Sequence, residues 1–311
     1  MLRSFEAELA RNVRDALAED MGAQDQTGHL IPPDKECKAR VIVREEAVLC
    51  GAPWFSAVMR QVNPRIQIDW RFAEGVTMRA GETVCLLRGP ARALLSAERS
   101  ALNFLQLLSG VATTTRRYVD AIAGARARIF DTRKTLPGLR LAQKYAVRTG
   151  GGENQRLGLY DGILIKENHI AAAGGIKAAL EHFSVDLPKE RARRQYEQYG
   201  EREATQGKSL KNTLDAAQAL DARLPIQIEV ETLAQLEEAL DCRASLILLD
   251  NFTLDALRAA VQLTAQRAAL EVSGGVDLHT VRAIADTGVD RISVGALTKH
   301  VRAIDYSMRL I

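Results

Sequence analysis

The chain has 311 residues, enough for one large domain or two ordinary ones, and its 47% hydrophobic and 26% charged residues are the balance of a globular protein with a sizeable core. A formal charge of +3 over this length is close to neutral, so it gives no electrostatic reason to expect nucleic acid or an anionic membrane as a partner. Arg3, Glu6, Glu8 and Arg11 punctuate the N-terminus and exclude a secretory h-region, and no apolar run reaches the roughly 18 residues of a membrane span. Cys37, Cys50, Cys85 and Cys242 are widely spaced without a C-x-x-C pair, which reads as buried, reduced thiols in a cytoplasmic protein.

Up to about Gly89 the chain is rich in short β-type runs. An amphipathic helix is expected over 5–18, then strands over 40–44 and 47–50 split by Glu45-Glu46, then a strand over 83–87 after the turn-forming Ala80-Gly81. Short strands divided by turn chemistry predict a small, mainly antiparallel sheet with the helix packed against it. A long helical pattern follows from 91 to about 123, in which Leu94, Ala101, Leu102, Leu105 and Leu108 recur at helical spacing and Gly110 interrupts past the middle.

Beyond residue 123 the rhythm becomes strand, loop and helix. Apolar strands are expected over 127–130, 162–165, 226–230, 246–249, 270–272 and 292–294, with helices over 233–240, 254–263 and 278–285. Near-continuous apolar strands alternating with helices indicate a buried parallel sheet. The fold class is therefore α/β: a β-rich α/β domain over 1–115, then an incomplete parallel α/β barrel over 116–311 whose C-terminal helix returns to the N-terminal domain. Six barrel strands can be counted. Between Lys166 and Ile226 one helix would suffice, yet there is a helical run over 171–182, a charged stretch with Arg191, Arg193, Arg194, Tyr196 and Tyr199, and a second helical run over 214–220. The insertion over 183–211 reads either as a solvated loop, since loop length costs little entropy, or as an interaction surface.

Chemistry-bearing residues cluster after the strands, on the side where α/β barrels place their sites. Arg133 and Lys134, flanked by Thr132 and Thr135, follow the first strand, and Lys166 ends the second. Gly150-Gly151-Gly152 precedes Gln155-Arg156, and glycines there would let backbone N–H groups turn toward an anion. Cations gathered from separate element ends face a polyanion, and a guanidinium suits carboxylate through two parallel hydrogen bonds. Glu229 and Asp250 end successive strands and suit a hard cation, whereas a capping or loop role is the alternative for Asp250. Ser273-Gly274-Gly275 and Val294-Gly295-Ala296 follow the last two strands, which fits a barrel phosphate site or plain turns. Lys299 and His300 either close that pocket or cap the final helix. Arg99, in Glu98-Arg99-Ser100 of the long helix, reads on its own as half of a surface salt bridge.

Asp131-Thr132-Arg133-Lys134-Thr135, Gly150-Gly151-Gly152-Glu153-Asn154-Gln155-Arg156 and Leu164-Ile165-Lys166-Glu167-Asn168-His169 resemble, in order and wording, the quinolinate phosphoribosyltransferase family. The resemblance extends from about Glu19-Asp20 to the end, apart from the insertion. It implies transfer of phosphoribosyl from phosphoribosyl pyrophosphate to quinolinate, releasing nicotinate mononucleotide, pyrophosphate and carbon dioxide. It implies a quinolinate site of Arg133, Lys134, Gln155, Arg156 and Lys166, with Arg99 supplied by the neighbouring subunit of a homodimer. It further implies Mg²⁺ and the phosphoribosyl substrate at Lys166, Glu229, Asp250, Ser273-Gly274-Gly275 and Val294-Gly295-Ala296, with Lys134, Glu229 and Asp250 closest to the chemistry. Gln155 stands where the family has histidine, and glutamine donates a hydrogen bond but carries no charge. Two rivals are a non-decarboxylating nicotinate or other sugar-phosphate barrel enzyme, and a non-enzymatic binding protein acting through the insertion.

Overall fold

Alternation along Glu36–Val43 (β1) turns Ala39, Val41 and Val43 into the core while Glu36, Lys38 and Arg40 face solvent, the pattern of a sheet covered on one side. The computed structural model describes residues 5–22, 25–32, 34–184 and 224–311. The 186–211 stretch and the helical run expected over 214–220 lie outside the described residues. The chain packs as two units, one of Met1–Gln155, Val276–Asp286 and Ile292–Ile311, the other of Arg156–Gly275 and Thr287–Arg291.

In the first unit β1 is sandwiched between Thr83–Pro90 (β5) and the closing strand Tyr306–Leu310 (β12), all antiparallel, with Val41 opposite both Cys85 and Met308. Gln67–Trp70 (β3) completes the four-stranded order β12-β1-β5-β3, and Ala47–Val48 (β2) pairs with Thr77–Met78 (β4). The expected C-terminal helix is thus corrected to a strand: Tyr306 and Met308 are buried on either side of Ser307, a period of two that suits a sheet edge.

Phe5–Met21 (α1) packs on helices rather than on the sheet. Its partners are Ala52–Val62 (α2), the 31-residue Ala91–Ala121 (α3) and Arg140–Thr149 (α4). Trp54 of α2 explains this, since its indole Nε1 donates to Asn12 Oδ1 (3.2 Å) and its ring lies 5.4 Å from Phe5 and 5.3 Å from Tyr145. Gly110 does not interrupt α3. A Cβ there would run into the Arg302 carbonyl oxygen, so the glycine admits the returning chain, which is fastened by Ile304 N–H to Gln106 O (3.0 Å) and by Tyr306 Oη to Ser109 Oγ (2.8 Å). Arg128–Phe130 (β6) receives the Val294 N–H at Phe130 O (2.9 Å).

In the second unit Ile163–Ile165 (β7), Ile226–Val230 (β8), Leu246–Asp250 (β9) and Ala269–Ser273 (β10) form parallel neighbours in that order. Asp290 N–H donates to Leu270 O (3.0 Å) just before Arg291–Ser293 (β11). All six expected barrel strands, β6 to β11, are present. Glu167–Ala173 (α5) and Ile176–Ser184 (α6) replace the single helix expected over 171–182, because Gly174 and Gly175 both adopt positive φ (88° and 131°) and stop the first helix. Leu233–Asp241 (α7) and Leu254–Thr264 (α8) begin at Thr232 and Thr253, whose hydroxyls accept the N–H groups of Gln235 and Ala256. Val281–Ala285 (α9) is shorter than the helix expected over 278–285, since Asp277 caps a separate turn at His279 and Thr280. Among the described residues no helix is long and apolar enough to cross a membrane.

Candidate functional site

One short helix organises the loops of the first unit. From α4, Arg140 Nε donates to Thr135 Oγ1 (3.1 Å) and its NH2 to Arg133 O (3.3 Å). Gln143, fully buried, accepts the Leu136 N–H (2.7 Å) and donates to Thr298 O (2.9 Å). Lys144, 1% exposed, donates to Asp131 Oδ1 (2.5 Å) and to Gln155 O (2.8 Å). Three neighbouring side chains of α4 therefore hold the 131–136 loop, residue 155 and the turn after β11, carried onward by Ala296–Lys299 (α10). These polar contacts were not legible in the sequence; a glutamine and a lysine between Ala142 and Ala146 on a buried helix face were the available signal.

The side chains of the two expected cations take no part in this network. Lys134 is exposed, and its backbone is fixed at both ends, by Thr132 Oγ1 (3.1 Å) and Thr298 Oγ1 (2.9 Å). Arg133 is half-buried, and its Nε is buried without a hydrogen-bond partner among the described residues, a costly state for a donor unless a ligand completes it. Gly295 faces the same loop: a Cβ there would lie 3.3 Å from Lys134 Cδ. Thus the structure brings Arg133, Lys134 and the Val294-Gly295-Ala296 turn together. Gln155 joins them through its main chain, whose N–H donates to Asp131 Oδ1 (2.8 Å), while its side-chain Nε2 lies 3.5 Å from Ser293 Oγ.

The triple glycine does something other than cradle an anion. All three N–H groups are spent on the end of α4, donating to Ala146 O, Arg148 O and Val147 O. A Cβ at Gly150 would collide with Ala112 O and one at Gly152 with Thr115 and Val147. The glycines let α4 close against α3, and Arg116 Nε seals the junction at Gly150 O (2.9 Å).

In the second unit the candidates hold one another. Lys166 Nζ donates to both carboxylate oxygens of Glu229 (3.1 and 2.8 Å), the lysine half exposed and the glutamate 6% exposed. On β8, Gln227 and Glu229 are both buried, whereas Glu231 is exposed past the strand end. Arg156 donates to Gly162 O (2.9 Å), bracing a turn whose Leu157 and Gly158 N–H groups bind Asp161. Asp250 accepts from Asn251 Nδ2 (2.8 Å), and Asn251, at φ 57°, donates its N–H to Ser273 O (3.1 Å). Gly274 is required there: at φ +98° its Cβ would strike the Asn251 amide. Asp250, Asn251, Ser273 and Gly274 thus form one rim, with Gly275 exposed beside them.

For a hard cation, Glu229 and Asp250 offer carboxylates from neighbouring strands, Glu229 pairing in register with Leu248 of the strand that Asp250 ends. Among the described residues no group of three or more His, Cys, Asp or Glu could form a cage. A pair of carboxylates is a donor set that suits Mg²⁺, which keeps waters and takes its remaining oxygens from substrate phosphates.

Arg99 is exposed on α3 and makes no ion pair or hydrogen bond among the described residues. Its neighbour Glu98 is pushed above the usual carboxylate range by burial, against which the Arg99 charge acts. Lys299 and His300 are both exposed. None of the four cysteines is in a disulfide; Cys50 and Cys85 are buried, Cys37 and Cys242 only partly.

Comparison with known proteins draws on nearly the whole chain. Residues 25–109 match the N-terminal domain of quinolinate phosphoribosyl transferase, and residues 111–208 and 203–309 match its C-terminal domain. The chain is 38% identical over 290 residues to the probable nicotinate-nucleotide pyrophosphorylase (carboxylating) of Bacillus subtilis, covering 93% of this chain and 89% of that one. It is 37% identical to the nicotinate-nucleotide pyrophosphorylase (carboxylating) of Mycobacterium leprae, covering 100% of both. The solved nicotinate-nucleotide pyrophosphorylase from Francisella tularensis superposes with a TM-score of 0.84 at 39% identity over 99% of this chain and 98% of that one. Human nicotinic acid phosphoribosyltransferase, at 14% identity and a TM-score of 0.55, shares the fold alone.

Proposed function

The chain belongs to the quinolinate phosphoribosyltransferase family, and from that premise we infer that it transfers phosphoribosyl from phosphoribosyl pyrophosphate to quinolinate with decarboxylation. It is a pentosyltransferase of NAD biosynthesis whose products are nicotinate mononucleotide, pyrophosphate and carbon dioxide. The observation that carries the site reading is the pair Arg133 and Lys134. Their backbones are fastened from α4 and α10, while the Lys134 side chain is exposed and Arg133 Nε lacks a partner among the described residues.

The pyridine nitrogen attacks the anomeric carbon as pyrophosphate leaves, through an oxocarbenium-like state. Ribosylation makes the ring nitrogen cationic, so its charge stabilises the electron pair left on ring carbon 2 as carbon dioxide departs, and a proton then takes up that pair in place of the carboxylate. The protein therefore supplies orientation and field rather than an electron sink. Arg133, Lys134, Arg156 and Lys166 hold the two carboxylates, and Gln155 adds a neutral hydrogen bond. The rim of Ser273, Gly274 and Gly275 and the turn of Val294, Gly295 and Ala296 receive phosphate oxygens through the Ser273 hydroxyl and backbone N–H groups other than that of Val294, which Phe130 O already holds. Glu229 and Asp250 would hold Mg²⁺, which when bound offsets negative charge on the pyrophosphate. Glu229 also sets the position of Lys166 through its two hydrogen bonds.

Two carboxylates distinguish quinolinate from nicotinate, and a set of cations larger than one carboxylate can pair favours the former. Carbon dioxide release measured with quinolinate, with and without phosphoribosyl pyrophosphate, and with nicotinate as control, tests the reading. Release that needs both substrates is expected, and nucleotide formed from nicotinate instead would replace it by the non-decarboxylating reaction. The enzyme is further proposed to be a cytoplasmic homodimer in which Arg99 serves the partner's site. Mixing inactive Arg99→Ala and inactive Lys166→Ala chains should restore activity; no recovery after verified subunit exchange would count against a shared site.

A further inference from the structure

The buried pair Asp131–Lys144 is not among the groups that meet substrate, yet both of its members converge on one peptide. Asp131 is 0% and Lys144 1% exposed, with Nζ 2.5 Å from Oδ1. The same Oδ1 accepts the Gln155 N–H (2.8 Å), and the same Nζ donates to the Gln155 carbonyl (2.8 Å). The Asn154 amide, with its nitrogen turned inward, adds a donor to Asp131 Oδ2 (2.8 Å) and to Lys144 O (3.0 Å). Residue 155 is thereby gripped at N–H and C=O by opposite ends of one ion pair. Asp131 also stands two residues before Arg133 on a loop whose own N–H is paired with Glu153 O (3.1 Å).

Such a pair is a poor way to gain stability, because desolvating two charges consumes most of their attraction and apolar residues of similar volume serve as well. What it supplies is orientation. Polar groups fully satisfied in a water-free interior are held to one geometry. We propose that Asp131 and Lys144 are positioning residues for quinolinate: they clamp the Gln155 peptide, and so fix the direction in which the Gln155 side chain leaves it relative to Arg133 and Lys134. This rests on the reading of those three residues as carboxylate-binding groups. Displacement of such groups by about 1 Å is enough to cost on the order of a hundredfold in rate.

Removing one partner alone would strand a buried charge, so the test removes both. In the double variant Asp131→Leu/Lys144→Met no charge is left unpaired, and the clamp is absent. In the double variant Asp131→Asn/Lys144→Met the Asn oxygen still accepts the Gln155 N–H, so half of the clamp survives, and this variant supplies the readout should the first not fold. Steady-state KM for quinolinate and for phosphoribosyl pyrophosphate are measured beside the thermal midpoint. The expected result is a rise of about tenfold or more in quinolinate KM for the Leu/Met pair, a smaller rise for the Asn/Met pair, and less than about a twofold change in phosphoribosyl pyrophosphate KM. Unchanged quinolinate KM in a folded variant overturns the proposal, as does a parallel rise of both KM values with a fallen midpoint. A wild-type protein without quinolinate-dependent carbon dioxide release would instead overturn the functional reading on which the proposal rests.

Discussion

The loop after β6 and the strand ends of the second unit solve the same problem in opposite ways. After β6 the scaffold is satisfied from beneath, by Arg140, Gln143 and Lys144 of α4, so the side chains of Arg133 and Lys134 stay available. At the strand ends of the second unit the candidate groups satisfy each other, Lys166 with Glu229 and Asp250 with Asn251. On the proposed function, the first arrangement presents charge before substrate arrives, and in the second a ligand takes over contacts that already exist. Preorganised charge is the stronger device for binding and catalysis, while mutual pairing keeps a buried glutamate from being stranded.

The contrast is sharpest in stability. Lys144→Met should destabilise the protein by about 3–5 kcal/mol, because Asp131 would remain buried and unpaired. Glu229→Gln should cost no more than about 1 kcal/mol, since Lys166 is half exposed and can turn to water. Chemical denaturation of the two variants measures both, and equal losses would break the distinction.

In binding the order reverses. Arg133→Ala and Lys134→Ala should each weaken quinolinate by about 1.5–3 kcal/mol with the unfolding transition little changed, as each removes a charge-assisted contact. Gln155→Ala should be milder than Arg156→Ala by roughly 1.4 kcal/mol, one unit of log affinity, and titration calorimetry separates them. Gln155→His should stay active and add a pH dependence of quinolinate binding near neutrality that glutamine cannot have. The smallest effect on quinolinate is expected from Asp250→Asn, and both Glu229→Gln and Asp250→Asn should raise the Mg²⁺ or phosphoribosyl pyrophosphate requirement more than the quinolinate requirement; unchanged metal titrations in both would remove these carboxylates from the metal's surroundings.

How much of this was legible in the sequence depended on where the determining contact lay. Strands β6 to β11 and helices α1 and α3 could be read because their patterns are local and apolar. Helix α4 could not, for its buried face carries Gln143 and Lys144, and their partners Leu136, Thr298, Asp131 and Gln155 are remote or outside the helical period. Helix α2 escaped although Trp54, Phe55, Val58 and Met59 recur at helical spacing. Glycine misled most: Gly110 and Gly150 look like breaks or anion loops in one dimension, and in three they are the places where another backbone, at Arg302 and Ala112, comes too close for a Cβ. Of the site, the charged positions were legible as residue types, and the direction each faces was not, since α4 fastens the Arg133 backbone, α10 that of Lys134, and Glu229 the Lys166 side chain.

The account turns on cations held ready for two carboxylates, and paired titrations of the wild-type protein with quinolinate and with nicotinate test that most directly. Quinolinate should bind at least about tenfold more tightly than nicotinate, the value of one additional charge-assisted contact, and Arg133→Ala should erase most of the difference. Equal affinity for the two acids in the wild-type protein would contradict it.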